Sequence, residues 1–432
     1  MKDKIAAFFS SHNFVVQNVD TVAQAILFDM EEGLCGRPSG QDMIKTYISP
    51  PDKTAAGKDV IVIDAGGTNF RSCLVSFDGA GVPSISHMEK TRMPGVEREL
   101  SKVEFFAQIA SNLEHLRDKA DRIGFCFSYP VEIQEDGDGV LLKFSKEVKA
   151  PQVEGCKIGQ ELIAVLKERG WRDDLHVVLL NDTVAALLAG AADVAEGKRY
   201  SSYVGFILGT GMNAAYIQKP LSQYEANGLK KTQVINCEAG RFAKVARSDF
   251  DLELDKKSES PGTGVLEKLC SGAYLGAAAF EAVKTAASEG VFSSAVCASL
   301  LKLESLTQIE MDAFLHAPYL ATSKLDEAME AGGATDEDKV LLFEILDAFA
   351  DRCARLAASI ITACVVKSGA GVSPVYPVKV LCNGTSFYKT YRVNQRVFSY
   401  LEESLTHRRG LHFELAQLEN DITLGTAIGG LI

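Results

Sequence analysis

The sequence predicts an α/β protein built as two lobes, and three observations carry that expectation. At 432 residues the chain is too long for a single hydrophobic core. Segments of strand-like and helix-like periodicity alternate along it. One layout also occurs twice: VIVIDAGGTNFRSCLV (60–75) and YVGFILGTGMNAAYIQ (203–218) each read as strand, small-residue turn, Asn, strand. Setting Gly67 against Gly211 brings Asn69 against Asn213. The echo is short, and it suggests two related α/β units facing each other across a cleft.

The elements follow in order. Residues 19–33 carry apolar positions at Val22, Ile26 and Met30 and end at Gly33, the pattern of a helix with a glycine stop. A polar stretch with Pro50, Pro51 and Gly57 precedes the abrupt β run at 60–77. RIGFCFSYP (122–130) reads as a strand ending at a proline. Residues 157–169, with Ile158, Leu162 and Val165, read as a helix stopped at Gly170, leading into the strand HVVLL (176–180). NDTVAALLAGAA then turns directly helical, and 337–368 reads as a long buried helix whose small residues permit close packing.

Composition narrows the function. The net charge of −12, without a basic run, argues against nucleic-acid binding, and any phosphate site must be built locally from backbone N–H groups and a few cations. No apolar run reaches membrane-spanning length, and MKDKIAAFF is too short for a secretory leader, so a cytoplasmic protein without membrane contact is expected. Ten scattered cysteines without a CxxC fit buried thiols in a reducing compartment. The seven histidines show no metal-ligand spacing.

Several motifs carry chemistry. In Asp64-Ala-Gly-Gly-Thr68 the glycines let backbone N–H groups approach a phosphate, Thr68 and Arg71 add a hydroxyl and a cation, and Asp64 is placed to hold a Mg²⁺-bound water. Taken alone, a plain glycine hairpin is the commoner meaning. Gly209-Thr210-Gly211-Met212-Asn213-Ala214 matches the dinucleotide fingerprint, but a strand follows where that fingerprint needs a helix, so a second phosphate hairpin is the better reading. Asn181-Asp182-Thr183 stands where a strand becomes a helix, a place for an N-cap and equally for a carboxylate that accepts a proton from an alcohol. Glu238 in NCEAG and Glu267 in PGTGVLEKLCSG suit acceptors for adjacent sugar hydroxyls, although Glu267 also fits a solvated Glu–Lys helix face.

In their order and spacing these segments resemble the hexokinase family over nearly the whole chain. MIKTYISPP, DAGGTNFR, FSYP, LLKFSKEVKA, VVLLNDTVAAL, GTGMNAAYI, INCEAGRF and PGTGVLEKLCSGAYLG carry the resemblance. It implies the two-lobed actin-like (ribonuclease H-like) ATPase fold, and transfer of phosphate from ATP, with Mg²⁺, to the 6-hydroxyl of a hexose such as glucose. It implies that Asp182 is the general base and that Lys146 reaches the transferring phosphoryl group. Ser128, Ser145, Lys146, Asn181, Asp182, Asn213, Glu238 and Glu267 would hold the sugar. Asp64, Gly66, Gly67, Thr68, Asn69, Arg71, Gly209, Thr210, Gly384 and Thr385 would line the nucleotide, with Asp64 nearest the metal. Residues 59–180 would form the smaller lobe, 1–50 and 181–420 the larger, and 421–432 would return to the smaller. A sugar sensor on the same fold, or an actin- or chaperone-type ATPase, would not need this base and both glutamates together.

Three departures from the family pattern stand out. Ala239 replaces the usual Trp after the glutamate, Asn383-Gly384-Thr385-Ser386 replaces an Asp-Gly-Ser or Asp-Gly-Thr motif, and the C-terminal glycine-rich segment is thinned to DITLGTAIGG. None falls on Asp182 or Lys146.

Overall fold

The computed structural model describes residues 2–50, 55–144, 148–194, 196–320 and 323–432. Ser145 and Lys146 lie outside the described residues. The apolar run after Asp59 becomes the strand Asp59–Gly66 because both of its faces are covered. Ile61, Ile63 and Ala65 enter one core, while Val60 and Val62 enter another on the opposite face, so polar alternation is absent. The strand turns back as Asn69–Phe77, which pairs in turn with Pro83–Arg92, all antiparallel. Arg122–Phe127 and His176–Leu180 then add in parallel on the other side of Asp59–Gly66. Parallel neighbours need long crossovers, and the helices Lys102–Asn112 and Ile158–Glu168 supply them.

A second sheet repeats this order strand for strand. Ser202–Leu208, Met212–Gln218 and Gln233–Asn236 form the antiparallel part, and Val378–Asn383 and Phe413–Ala416 add in parallel. The short strand Ile44–Lys45 extends the antiparallel edge. The crossover of this sheet is a helical layer dominated by Asp336–Ser368, a helix of 33 residues that opens on a Thr335–Asp338 capping box and stops at Gly369 in a left-handed conformation. The repeat visible in sequence covers two strands of each sheet; the structure extends it to five. The two hairpins differ in length, with Gly66 pairing Asn69 across two residues and Leu208 pairing Met212 across three.

Each sheet ends by sending a helix across to the other. Asp182–Ala192 leaves the last strand of the first sheet and packs on the second, while Asp421–Gly430 leaves the last strand of the second and packs on the first. The two helices also touch each other. A Cβ built on Gly425 would lie 1.8 Å from the Ala185 carbonyl oxygen, so only glycine permits the crossing. Val60, Val62, Val184, Leu187, Leu188, Ala427 and Ile428 form the core between the sheets. Among the described residues no helix is long and apolar enough to cross a membrane.

Gly425→Ala tests the crossing. The added methyl forces the helices apart in a packed core, an overpacking cost of about 1–3 kcal/mol. The variant is expected to melt below the native protein in calorimetry; an unchanged melting temperature would show that the helices do not cross at this contact.

Candidate active site

Strand ends from both sheets meet at one cleft, lined on one side by Ser128, Tyr129 and Asn181, the residue before the first crossing helix, and on the other by Asn236 and Glu238. The register of the second sheet builds its most ordered cluster. Met212–Gln218 pairs Ala215 with Asn236, and two residues further on this sets Asn213 opposite Glu238. Backbone N–H groups of Ala214 and Ala239 donate to Asn213 Oδ1 at 2.7 and 3.1 Å, which fixes the orientation of the amide. Asn213 Nδ2 then donates to Asn236 Oδ1 at 2.7 Å and to Glu238 Oε1 at 3.3 Å. Asn236 Nδ2 donates to the same Oε1 at 2.8 Å. One Glu238 oxygen is thereby saturated, and among the described residues the other has no hydrogen-bond donor.

Glu238 itself sits at φ +53°, a left-handed conformation costly for a side chain with a Cβ. Ala239, in the place of the family tryptophan, is buried, and its N–H serves Asn213. Asn236 was absent from the sequence-derived site. It ends the strand Gln233–Asn236 while Glu238 lies beyond that strand in a left-handed turn, so strand periodicity in the sequence does not mark it.

Glu267 comes from the helix Val265–Cys270. Its neighbour Lys268 is buried and donates to Asp255 and to the Ser260 carbonyl, so the pair is not a solvated Glu–Lys face. Glu267 Oε2 accepts from Met212 N at 3.4 Å. A Cβ on Gly240 would come within 3.1 Å of both Cβ and Oε2 of Glu267, so that glycine keeps the space for the carboxylate.

At the strand-to-helix junction, Asn181 and Asp182 share one N–H donor. Asn181 is the N-cap, its Oδ1 accepting from Thr183 N at 2.8 Å. Asp182 is the first helical residue, and its Oδ1 accepts from the same N–H at 2.7 Å. Burial raises Asp182 to about 6; the charges of Glu238 and Asp64 push the same way, and the Thr183 bonds oppose them. Burial likewise raises Glu238, against the Asn236 bond, and raises Glu267, with the Glu238 charge adding to it.

The nucleotide-side candidates fall into two groups. Asp64 stands at the end of its strand opposite Arg71, whose Nη1 donates to Oδ2 at 3.1 Å. Burial raises Asp64 and the Arg71 charge counters it. Gly66 lies against Ser128, and Gly67, Thr68 and Asn69 form an exposed tip. The second group, Gly209, Thr210, Gly384 and Thr385, lines a separate groove in the second sheet. Gly384 has φ +115°, and a Cβ there would lie 2.1 Å from the Leu208 carbonyl oxygen, so the groove floor requires glycine. No hydrogen bond among the described residues joins the hairpin tip to this groove.

Comparison with known proteins agrees with this architecture. Two family models, both described as hexokinase, match residues 4–192 and 203–432. Hexokinase-5 of Oryza sativa subsp. japonica is 30% identical over 95% of this chain and 85% of the relative. Hexokinase-7 of the same organism is 30% identical over 91% of this chain and 88% of the relative. A glucose-complexed hexokinase structure from Schistosoma mansoni superposes over all of this chain and 98% of its own, with a TM-score of 0.78 at 23% identity.

The raised Asp182 has a consequence for stability. The folded protein holds that proton more tightly than the unfolded chain. Its contribution therefore favours folding below the ordinary value of 3.8 and is lost as pH rises through about 6. Asp182→Asn removes the buried charge while keeping an oxygen for Thr183. The variant is expected to be more stable than the native protein near neutral pH, by up to about 3 kcal/mol for a shift of roughly two units. The advantage should fade below about pH 5. Thermal melts at both pH values check this, and a variant that melts lower near neutrality contradicts it.

Proposed function

The chain belongs to the hexokinase family and is a sugar-phosphorylating enzyme, and from that premise we propose that it transfers the γ-phosphoryl group of ATP to the 6-hydroxyl of glucose. One observation supports this reading above the others: the Glu238 charge acts on both Asp182 and Glu267, beside a cleft where backbone N–H groups orient the Asn213 amide and that amide orients Asn236. Among the described residues no lysine or arginine bonds to these carboxylates, an arrangement that suits a ligand bringing many O–H donors, and a hexose does so.

In this proposal Glu238, Glu267, Asn213, Asn236, Asn181 and Ser128 bind the sugar, together with Ser145 and Lys146. Asp182 takes the proton of the 6-hydroxyl as its oxygen bonds to the γ-phosphorus. The bond from that phosphorus to the bridging oxygen breaks, and ADP leaves with the electron pair. Lys146 offsets charge on the transferring group. Asp64, half-buried with a single cation partner, is the carboxylate for a hydrated Mg²⁺, an ion that keeps most of its waters and binds through phosphates and one or two carboxylates. That ion, when bound, neutralises charge on the phosphates. Gly66, Gly67, Thr68, Asn69 and Arg71 approach the phosphates from the first sheet, and Gly209, Thr210, Gly384 and Thr385 from the second. Residues 59–180 then form a smaller lobe, with 421–432 returning to it. Residues 1–50 and 181–420 form the larger lobe.

A coupled assay of ADP release with and without glucose tests the reading as a whole. Asp182→Asn is expected to lower kcat by about 10²–10⁴, the range for a lost general base, with a smaller change in glucose affinity. In the native enzyme the rate should climb with pH through about 6 and level off above, because the base works only when ionised. A near-native kcat in the Asn variant, or a flat profile between about pH 5 and 7, contradicts the assignment.

Glu238→Gln and Glu267→Gln are expected to weaken glucose binding by about 5- to 150-fold each, the scale of one lost charged hydrogen bond. Unchanged glucose affinity of both variants in calorimetry would place the sugar elsewhere.

A further inference from the structure

Asn383 is the last residue of Val378–Asn383, and Asp421 is the first residue of the crossing helix Asp421–Gly430. Asn383 Nδ2 donates to both oxygens of Asp421, at 2.7 Å each, and Asp421 Oδ1 also accepts from Ile422 N at 2.8 Å. Asp421 is only 4% exposed, and among the described residues no cation pairs with it. A buried carboxylate neutralised by no cation is expensive, so an amide donor at this place must return something for it.

Position supplies the reason. Asn383 immediately precedes Gly384 and Thr385 and itself lines their groove. Asp421 opens the helix that lies on the first sheet and crosses Asp182–Ala192. Their bond is therefore a side-chain tie between the wall of the groove and the element that carries the opposite sheet. The fold repeat strengthens the assignment. Asp182 and Asp421 both begin the helix after the last strand of their sheet, and each accepts from the N–H of the following residue. In the first unit, among the described residues, no side-chain amide bonds to the carboxylate, whose donors are the Thr183 N–H and hydroxyl. In the second, Asn383 occupies it.

We infer that Asn383 and Asp421 are a pair of positioning residues that hold the groove of Gly384 and Thr385 in register with the crossing helices, so that a nucleoside triphosphate bound there is aligned with the sugar at Asp182. The inference rests on the ATP-dependent reading above. Neither residue is assigned to the reacting atoms. Their effect is on where the nucleotide lies, and amide–carboxylate complementarity is what the pair requires. Which of the two positions carries the amide is secondary.

The test is an exchange. Asn383→Asp sets two carboxylates against each other and is expected to raise the KM for ATP, or lower kcat at saturating glucose, by about 10- to 100-fold, the scale of a lost hydrogen bond to a charged group. Glucose affinity by calorimetry should stay within about threefold, a split that general loss of structure would not give. The double variant Asn383→Asp/Asp421→Asn restores one amide and one carboxylate with their places exchanged. It should return both ATP parameters to within about threefold of native, as expected when only the coupling between the two sites matters. If the single variant does not fold, the double variant alone decides, because it must fold and work. Native ATP kinetics in Asn383→Asp, or a folded double variant with impaired ATP kinetics, overturns the inference. A native protein that phosphorylates glucose while the variants behave so removes the positioning role only. A native protein that neither binds ATP nor phosphorylates glucose removes the proposed function and this role with it.

Discussion

The contact on which the molecule depends is the crossing of the helices Asp182–Ala192 and Asp421–Gly430, where Gly425 meets the Ala185 carbonyl. Each helix begins on one sheet and is buried on the other, so neither sheet has a complete core without the chain of its partner. The arrangement also sets the cleft. Both helices start at the ends of parallel strands, where α/β proteins gather ligands, and their first residues are Asp182 and Asp421. The site is thus a by-product of how the two sheets are joined, and its carboxylates are placed by backbone geometry that cannot drift independently.

The same burial that holds the sheets together makes the cleft electrostatically strained. Asp182, Glu238 and Glu267 are all raised by burial, and the Glu238 charge acts on both of the others. Among the described residues their hydrogen-bond donors, Asn213, Asn236, Thr183 and the Met212 N–H, are neutral. A lysine or arginine in that place would relieve the strain and occupy the oxygens at once. Neutral donors hold the carboxylates in place while leaving acceptor capacity unused, which is the condition a polyol ligand needs. At Asp64 the solution differs: Arg71 is a direct partner, half-exposed and able to exchange one anion for another.

Much of this was legible in the sequence because each feature has a local cause. The strands at 59–77 and 176–180, the helix stopped near Gly170 and the long helix ending at Gly369 follow from apolar runs and glycine stops within a few residues. The hairpin glycines and the two glutamates were legible as motifs. Features resting on non-local geometry were not. The repeat was visible over two strands only, since the third strands differ in length, ten residues against four, and the last two are reached in the second unit only after a helical insertion. Asn236 becomes informative only when the register sets it beside Asn213 and Glu238. The bond from Asn383 to Asp421 joins residues 38 apart in the chain, and no periodicity signals such a pair.

The Asn-Asp pairs at 181–182 and 420–421 show why a motif underdetermines a role. In sequence, Asn181-Asp182 allowed a helix cap or a proton acceptor, and these stood as rivals. The fold makes Asn181 the N-cap and Asp182 the first helical residue. Asn181 has extended backbone and caps Thr183, while Asp182, the first helical residue, accepts from the same N–H. Asn420 instead has φ +55°, a left-handed turn from which its side chain makes no cap. Both aspartates accept from the next N–H, so local structure gives them the same start. What separates them is the strand they face. The first sheet offers Asp182 the cleft and the repulsion of Glu238 and Asp64; the second offers Asp421 the amide of Asn383. A duplicated backbone thus supplies two carboxylates with the same start, and among the described residues a single facing side chain, the amide of Asn383, separates their surroundings.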